Sequence, residues 1–143
     1  MPCKRSILSA SMAMMLAATG AFGHTPPDHA RVFFVGIENG QVVESPFTVR
    51  FGIEGFGIVP AGTKDKSRHN GGHYHLLVNV ETLPDMDAPI PRDSQHLHFD
   101  AGETETELDL PPGRHTLQLV LGDEEHEPQD PPLISQRITV IVE

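Results

Sequence analysis

Runs of residues that alternate between apolar and polar with a period of two recur along this chain, and this restricts the fold more than any other feature. Such alternation marks half-buried β-strands, whose successive side chains point to opposite faces. In "PFTVRFGIE" (46–54), Phe47, Val49, Phe51 and Ile53 share one face, with Thr48, Arg50 and Glu54 on the other. "HYHLLVNV" (73–80) groups Tyr74, Leu76, Val78 and Val80; "TETELDL" (104–110) sets Thr104, Thr106, Leu108 and Leu110 against Glu105, Glu107 and Asp109. Further runs lie at 31–37, 96–99, 114–121 and 135–142, and no stretch carries a convincing helical period. Gly, Pro and Asp mark the turns between them. Seven short strands of this kind predict an all-β fold, an immunoglobulin-like antiparallel β-sandwich. Three connections are long, at 55–71, 81–95 and 122–133. "LPPGRHTLQL" has the shape of the corner leading into the sixth strand of such sandwiches, with His115 in place of the usual tyrosine. That assigns His115 to structure, as a partly buried ring bonded to backbone.

The first 23 residues do not belong to this pattern. Lys4 and Arg5 give a basic start, residues 7–18 are apolar, and Ala21-Phe22-Gly23 forms a small-x-small cleavage site. The apolar run falls short of the roughly 20 residues a membrane span needs. The reading is a cleaved export signal (1–23), followed by one domain (24–143) in the periplasm or outside the cell, with no transmembrane segment after cleavage. An uncleaved anchor is the alternative. At 143 residues the chain can build one core and not two.

Cleavage removes two of the 10 Lys and Arg and none of the 20 Asp and Glu, leaving a net charge of −12 with histidine neutral. That excludes nucleic acid and anionic membrane surfaces as partners, since both need a basic footprint. Cleavage also removes Cys3, the one cysteine, so neither a disulfide nor a thiolate ligand is available. All nine histidines remain. Any metal must therefore sit on imidazole, carboxylate or backbone oxygen.

Two His-x-His pairs stand out, His73/His75 and His96/His98. On a strand, residues two apart point the same way about 6.5 Å apart, and neighbouring strands lie roughly 4.8 Å apart. If Tyr74, Leu76 and Val78 face the core, His73 and His75 face outward, and likewise His96 and His98 around Leu97. Pairing of the two strands would gather four imidazoles that could close on copper or zinc at about 2.0 Å per nitrogen. The bland alternative is a solvated sheet face whose histidines bind nothing. His69, in the Gly-rich loop before the third strand, and His126, in the acidic loop after the sixth, belong to the same pole and are supporting candidates. Cleavage after Gly23 would expose His24 as an N-terminal copper chelate; cleavage after Ala21 would not, and His29 reads as a spacer.

Enzyme patterns fail on spacing. Cupins expect a glutamate sooner after His-x-His than Glu81, and the stretch from Pro111 to His115 is one residue short of their second motif. "HFD" (98–100) imitates the His-x-Asp of iron oxygenases, but the chain is too short for that barrel. Copper–zinc superoxide dismutase would need a bridging histidine and a disulfide, and blue copper needs a cysteine thiolate. No Ser/His/Asp arrangement emerges. The expectation is a protein that is not an enzyme.

Taken together, "ARVFFVGIENGQVVESPFTVRFGIEGFGIVPAGT", "GGHYHLLVNV", "PIPRDSQHLHF", "LPPGRHTLQLVLGD" and "DPPLISQRITVIV" resemble a family of small exported bacterial proteins known as a domain of unknown function, DUF4399. The resemblance covers about residues 30–142. The family pattern opens its third strand with Gly-His-His-His; His73 and His75 match, while Tyr74 replaces the middle histidine. His96, His98, His115 and His126 also fall on its histidines, and Gln129 stands where a further one is often seen. Both His-x-His pairs are intact. A looser likeness, in "ENGQVVESPFTVRF", is to small periplasmic copper carriers of the sandwich class. The sequence thus points to a periplasmic metal carrier or buffer holding copper first and zinc second, on His73, His75, His96 and His98, with His69 and His126 in support. Its affinity is expected to fall below about pH 6.5, where an unperturbed imidazole protonates. The rival is a non-catalytic module that binds another envelope protein or a glycan.

Overall fold

A computed structural model describes residues 24–143, so the expected export signal (1–23) lies outside the described residues. Nine strands are present among them: β1 (Arg31–Val35), β2 (Gln41–Val43), β3 (Phe47–Glu54), β4 (Gly57–Ile58), β5 (Gly71–Val78), β6 (His96–His98), β7 (Glu105–Leu108), β8 (Gly113–Gly122) and β9 (Ile138–Val142). A 3-10 helix, Lys66–Asn70, precedes β5, and there is no α-helix among the described residues. Nor is any helix there long and apolar enough to cross a membrane.

The strands form two sheets. One is three-stranded in the order β1-β3-β7; the other runs β2-β9-β8-β5-β4, with β6 also pairing β5. Each of the seven expected runs contains a strand. The two additions are β2 and β4, both paired in parallel, with β9 and β5 respectively, so the fold is not wholly antiparallel. Two- and three-residue ladders are too short to leave an alternation in the sequence.

The sheets share one core. Val32, Phe47, Val49, Phe51 and Leu108 come from the smaller sheet, and Tyr74, Leu76, Leu117, Leu119, Leu121 and Val140 from the larger. Phe51 packs its ring against Tyr74 and Phe99, with centroids 5.1 and 4.8 Å apart. These are the inward sets that the alternation predicted, except for Val80. Asn79 takes a left-handed conformation (φ 56°), which breaks the alternation, and Val80 packs beside Leu77, Ile90 and Val120 instead.

Asn79 also completes the corner at the other end of β8. His115 Nε2–H donates to the Pro111 carbonyl (2.7 Å), the Asn79 amide donates to His115 Nδ1 (2.9 Å), and Asn79 Oδ1 accepts from the Thr116 amide (3.0 Å). A histidine here does what a corner tyrosine does elsewhere, tying a strand start back to the preceding turn.

The two outer faces differ. On β1-β3-β7 the outward side chains are solvated and paired, Arg31 with Glu54 and Arg50 with Glu105. On the larger sheet the outward residues of β5, namely His73, His75 and Leu77, are buried. The expectation that both histidines would face solvent is therefore corrected: the direction is right, but the loops at 81–95 and 122–133 lie over this face. Ile90 packs on Leu77 and Val120, and its amide donates to the His126 carbonyl (2.8 Å), tying one loop to the other.

Candidate metal centre

Strand register sets the first part of the site. In the β5–β6 ladder His75 faces His98, and Leu77 faces His96; in the β5–β8 ladder His73 faces Gly122 and His75 faces Val120. Opposed residues point to the same side of a sheet, so His73, His75 and His98 share the covered face. Gly122 is required there, because a Cβ would overlap the His75 ring.

His126 arrives from the loop after β8, a tight turn built around the buried Asp123. Asp123 Oδ1 accepts from the amides of Glu125 (2.8 Å) and Glu127 (3.0 Å), while its own amide donates to the Glu127 carbonyl (2.8 Å). The turn places His126 in the left-handed region (φ 67°), which few non-glycine residues occupy but histidine tolerates better than most. Its ring then points back to the strands.

One ring nitrogen from each of His73, His75, His98 and His126 lies within 4.8 Å of the others. His73 Nε2 is 3.0 Å and His98 Nδ1 3.3 Å from His126 Nδ1. His98 Nε2–H donates to the Pro91 carbonyl at 2.7 Å. In neutral His98 that leaves Nδ1 bare and directed inward, the tautomer a metal ligand needs. Four buried side-chain atoms here have no hydrogen-bond partner among the described residues: His73 Nδ1, both nitrogens of His75, and Asp100 Oδ1. Each such atom costs about 1–3 kcal/mol, and native interiors rarely leave so many in one place.

Burial favours the uncharged form of His73, His75 and His98. Burial, then the neighbouring His126, pushes His73 down to about 4, with Asp100 opposing. Burial and the adjoining imidazoles of His73, His98 and His126 push His75 down to about 2. His98 is lowered too, mainly by burial, although its bond to Pro91 works the other way. Neutral imidazole is the metal-binding form. The cavity of about 330 Å³ lined by Phe33, Phe34, Ile37 and Ile138, among others, contains none of these histidines.

Two candidate histidines lie elsewhere. His96 points along the same face but further down β5, beside Leu77, and its Nδ1 is 2.7 Å from Asp93 Oδ1. Asp93 also caps the local turn, accepting from the amides of Gln95 and His96. His69 belongs to a second cluster at the same pole. There Arg68 Nε–H donates to His69 Nε2 (3.3 Å), His69 and His24 face each other through Nδ1 (2.9 Å), and His24 Nε2–H donates to Glu124 (2.9 Å). His24, Asp123 and Glu124 have metal-ligand spacing, but Asp123 is engaged by its own turn and the ring nitrogens of His24 and His69 are all partnered. Gln129 is buried beside Gly72 and Leu121, on the side of β5 away from the histidines. His115 stays in its corner.

Asp100 was not among the sequence candidates. Its Oδ2 accepts from Arg92 Nη2 at 2.7 Å, while Oδ1 lies 3.8, 3.8 and 3.7 Å from the inward nitrogens of His73, His98 and His126. Burial would raise its pKa, but the Arg92 bond and charge, with His126 and His73, outweigh that and lower it. The signal was the His98-x-Asp100 spacing, which was set aside together with the barrel it imitates.

Residues 49–143, well over half the chain and all of the strands that build this cluster, match the family described as domain of unknown function (DUF4399). The chain belongs to the DUF4399 family. No curated protein and no solved structure matches it. The match begins within β3, so the DUF4399 region holds His73, His75, His98, Asp100 and His126, while His24 precedes it.

Proposed function

We propose that this DUF4399 protein binds a metal ion in the cluster of His73, His75, His98 and His126, and that it carries or buffers that ion without catalysing a reaction. Copper is the first candidate and zinc the second, since imidazole serves both. One observation carries the reading: imidazoles from two strands and a loop converge within ligand distance, and beside them both nitrogens of the buried His75 and Asp100 Oδ1 have no partner among the described residues. Convergence also favours metal over the rival module for an envelope protein or glycan, in which histidines would be scattered over the recognition surface. The apolar start of the chain and its acidic balance support an exported, periplasmic setting, and the two-layer architecture supports the immunoglobulin-like sandwich expected from the strand runs.

The test is titration of the purified protein with copper(II), copper(I) and zinc(II), with metal analysis of the complex. One ion per chain is expected. His126→Asn, which preserves a backbone that asparagine also tolerates, is expected to weaken binding with the fold intact. Absence of stoichiometric binding, or binding unchanged in both His126→Asn and the His73→Ala/His75→Ala double variant, overturns the proposal.

A further inference from the structure

His73 Nε2, His98 Nδ1 and His126 Nδ1 form a triad that two different residues can complete. One is His75, at the base of the cluster. Its ring is 4.5 Å from His73 and 4.3 Å from His98 by centroid, but 5.8 Å from His126. The other is Asp100, whose Oδ1 is nearly equidistant from all three triad nitrogens at 3.7–3.8 Å.

A tetrahedral ion with bonds of about 2.0–2.1 Å needs donor atoms roughly 3.3 Å apart. The separations between His126 Nδ1 and the other two nitrogens are 3.0 and 3.3 Å. The Asp100 distances exceed the ideal by about half an ångström, a gap that contraction of one carboxylate on an exposed loop would close. At 3.7–3.8 Å the carboxylate oxygen is too far for a hydrogen bond to any of the nitrogens. It is nonetheless buried and without a partner among the described residues, although the side chain as a whole is part exposed. Its other oxygen is taken by Arg92, which fixes the carboxylate so that Oδ1 points at the triad. An oxygen held in that position, satisfied by nothing else, is placed as a ligand would be.

Resting on the metal reading above, we infer that Asp100 Oδ1 is the fourth donor and that the site selects a divalent ion, zinc(II) or copper(II), over copper(I). A carboxylate is a hard, charged donor, and soft copper(I) gains least from it. In a buried site a dipositive ion also needs the compensating charge more than a monopositive one does. His75 then packs behind the triad, and Arg92 is a positioning residue that acts through Asp100.

Asp100→Asn tests this, since it keeps the shape and removes the charge at a position outside the core. Loss of outer partners alone lowers metal affinity roughly 10- to 100-fold. Asp100→Asn is accordingly expected to lower zinc(II) and copper(II) affinity at least about tenfold, with copper(I) affinity changed less than threefold. Arg92→Gln is expected to alter the visible absorption of the cobalt(II)-loaded protein, which reports ligand geometry, and to change zinc(II) affinity more than copper(I) affinity. If the wild-type protein binds none of these ions, the metal reading itself falls. If it binds them but Asp100→Asn leaves zinc(II) affinity intact, or lowers copper(I) affinity equally, the role of Asp100 is overturned while the metal reading stands. Loss of zinc(II) in His75→Leu, with Asp100→Asn unaffected, would make His75 the fourth ligand.

Discussion

Two histidine clusters lie at one pole of the domain and share a loop, yet they are built on opposite principles. In the outer one, Arg68, His69, His24 and Glu124 form a chain in which every imidazole nitrogen has a hydrogen-bond partner. In the inner one, built by His73, His75, His98 and His126, the first two are fully buried, and three ring nitrogens have no partner among the described residues. The outer cluster is complete as a polar clasp between the segment before β1, the 3-10 helix and the loop after β8. The inner cluster leaves donors open to a further partner. Proximity of histidines is thus a poor indicator of a metal site; the number of donors left unused is a better one.

The difference can be broken most directly by removing one ring from each cluster. His98→Ala is expected to lower metal affinity by more than about 100-fold, and His24→Ala by less than threefold, as read by calorimetric titration. Equal losses would mean that the clusters act as one. The same contrast is expected in stability. At an ion concentration of 100 times Kd, one bound ion adds about 2.7 kcal/mol, raising Tm by roughly 10 °C for a domain of this size. The rise is expected to survive in His69→Ala and to vanish in His98→Ala.

Acid sharpens the comparison further. His73 in the folded protein titrates near 4, below the ordinary histidine value of 6.5. Between those values the unfolded chain takes up a proton that the fold refuses. The metal-free protein therefore loses stability as pH falls from 6.5 to 4, by up to about 1.4 kcal/mol per pH unit from this residue. Denaturant midpoints measured across that window are expected to show the slope and His73→Leu to reduce it. For the same reason competition between protons and metal at His73 is expected to begin nearer pH 4 than 6.5. Smaller effects follow for rings whose bonds are local. His24→Ala is expected to cost about 1 kcal/mol through its bond to Glu124, and His96→Ala to leave metal affinity unchanged.

These contrasts explain what could be read from the sequence. Alternation located the longer strands and assigned Phe47, Val49, Tyr74, Leu76 and Leu117 to the core, because a strand's period is a local property. It also put His73 and His75 on the far side of β5 from Tyr74. It could not tell that this side is dry, because that depends on loops folding across it. The common pole of His69 and His126 was legible from the expected topology. Their separation into different clusters was not, since it turns on His126 being held in a left-handed turn and His69 being engaged by His24. Asp93 captures His96 through a three-residue spacing present in "DSQH" but unremarkable until the turn is seen. Asp100 was visible as His98-x-Asp100, but its relevance depends on Arg92 orienting it.

The pairing around β5 has a consequence for how the protein meets copies of itself. An edge strand with free amides and carbonyls is a template for adding another chain. One side of β5 is covered by β8. Along the other side, β4 covers Gly71–Gly72 and β6 covers His75–Leu77, while the Phe99 amide donates to the Tyr74 carbonyl between them at 3.1 Å. Two strands so short that neither would stand alone together close this border. Among the described residues the histidine strand therefore offers no open ladder for intermolecular pairing, and self-association through strand addition is directed to other borders, such as β2, where Val42 is exposed.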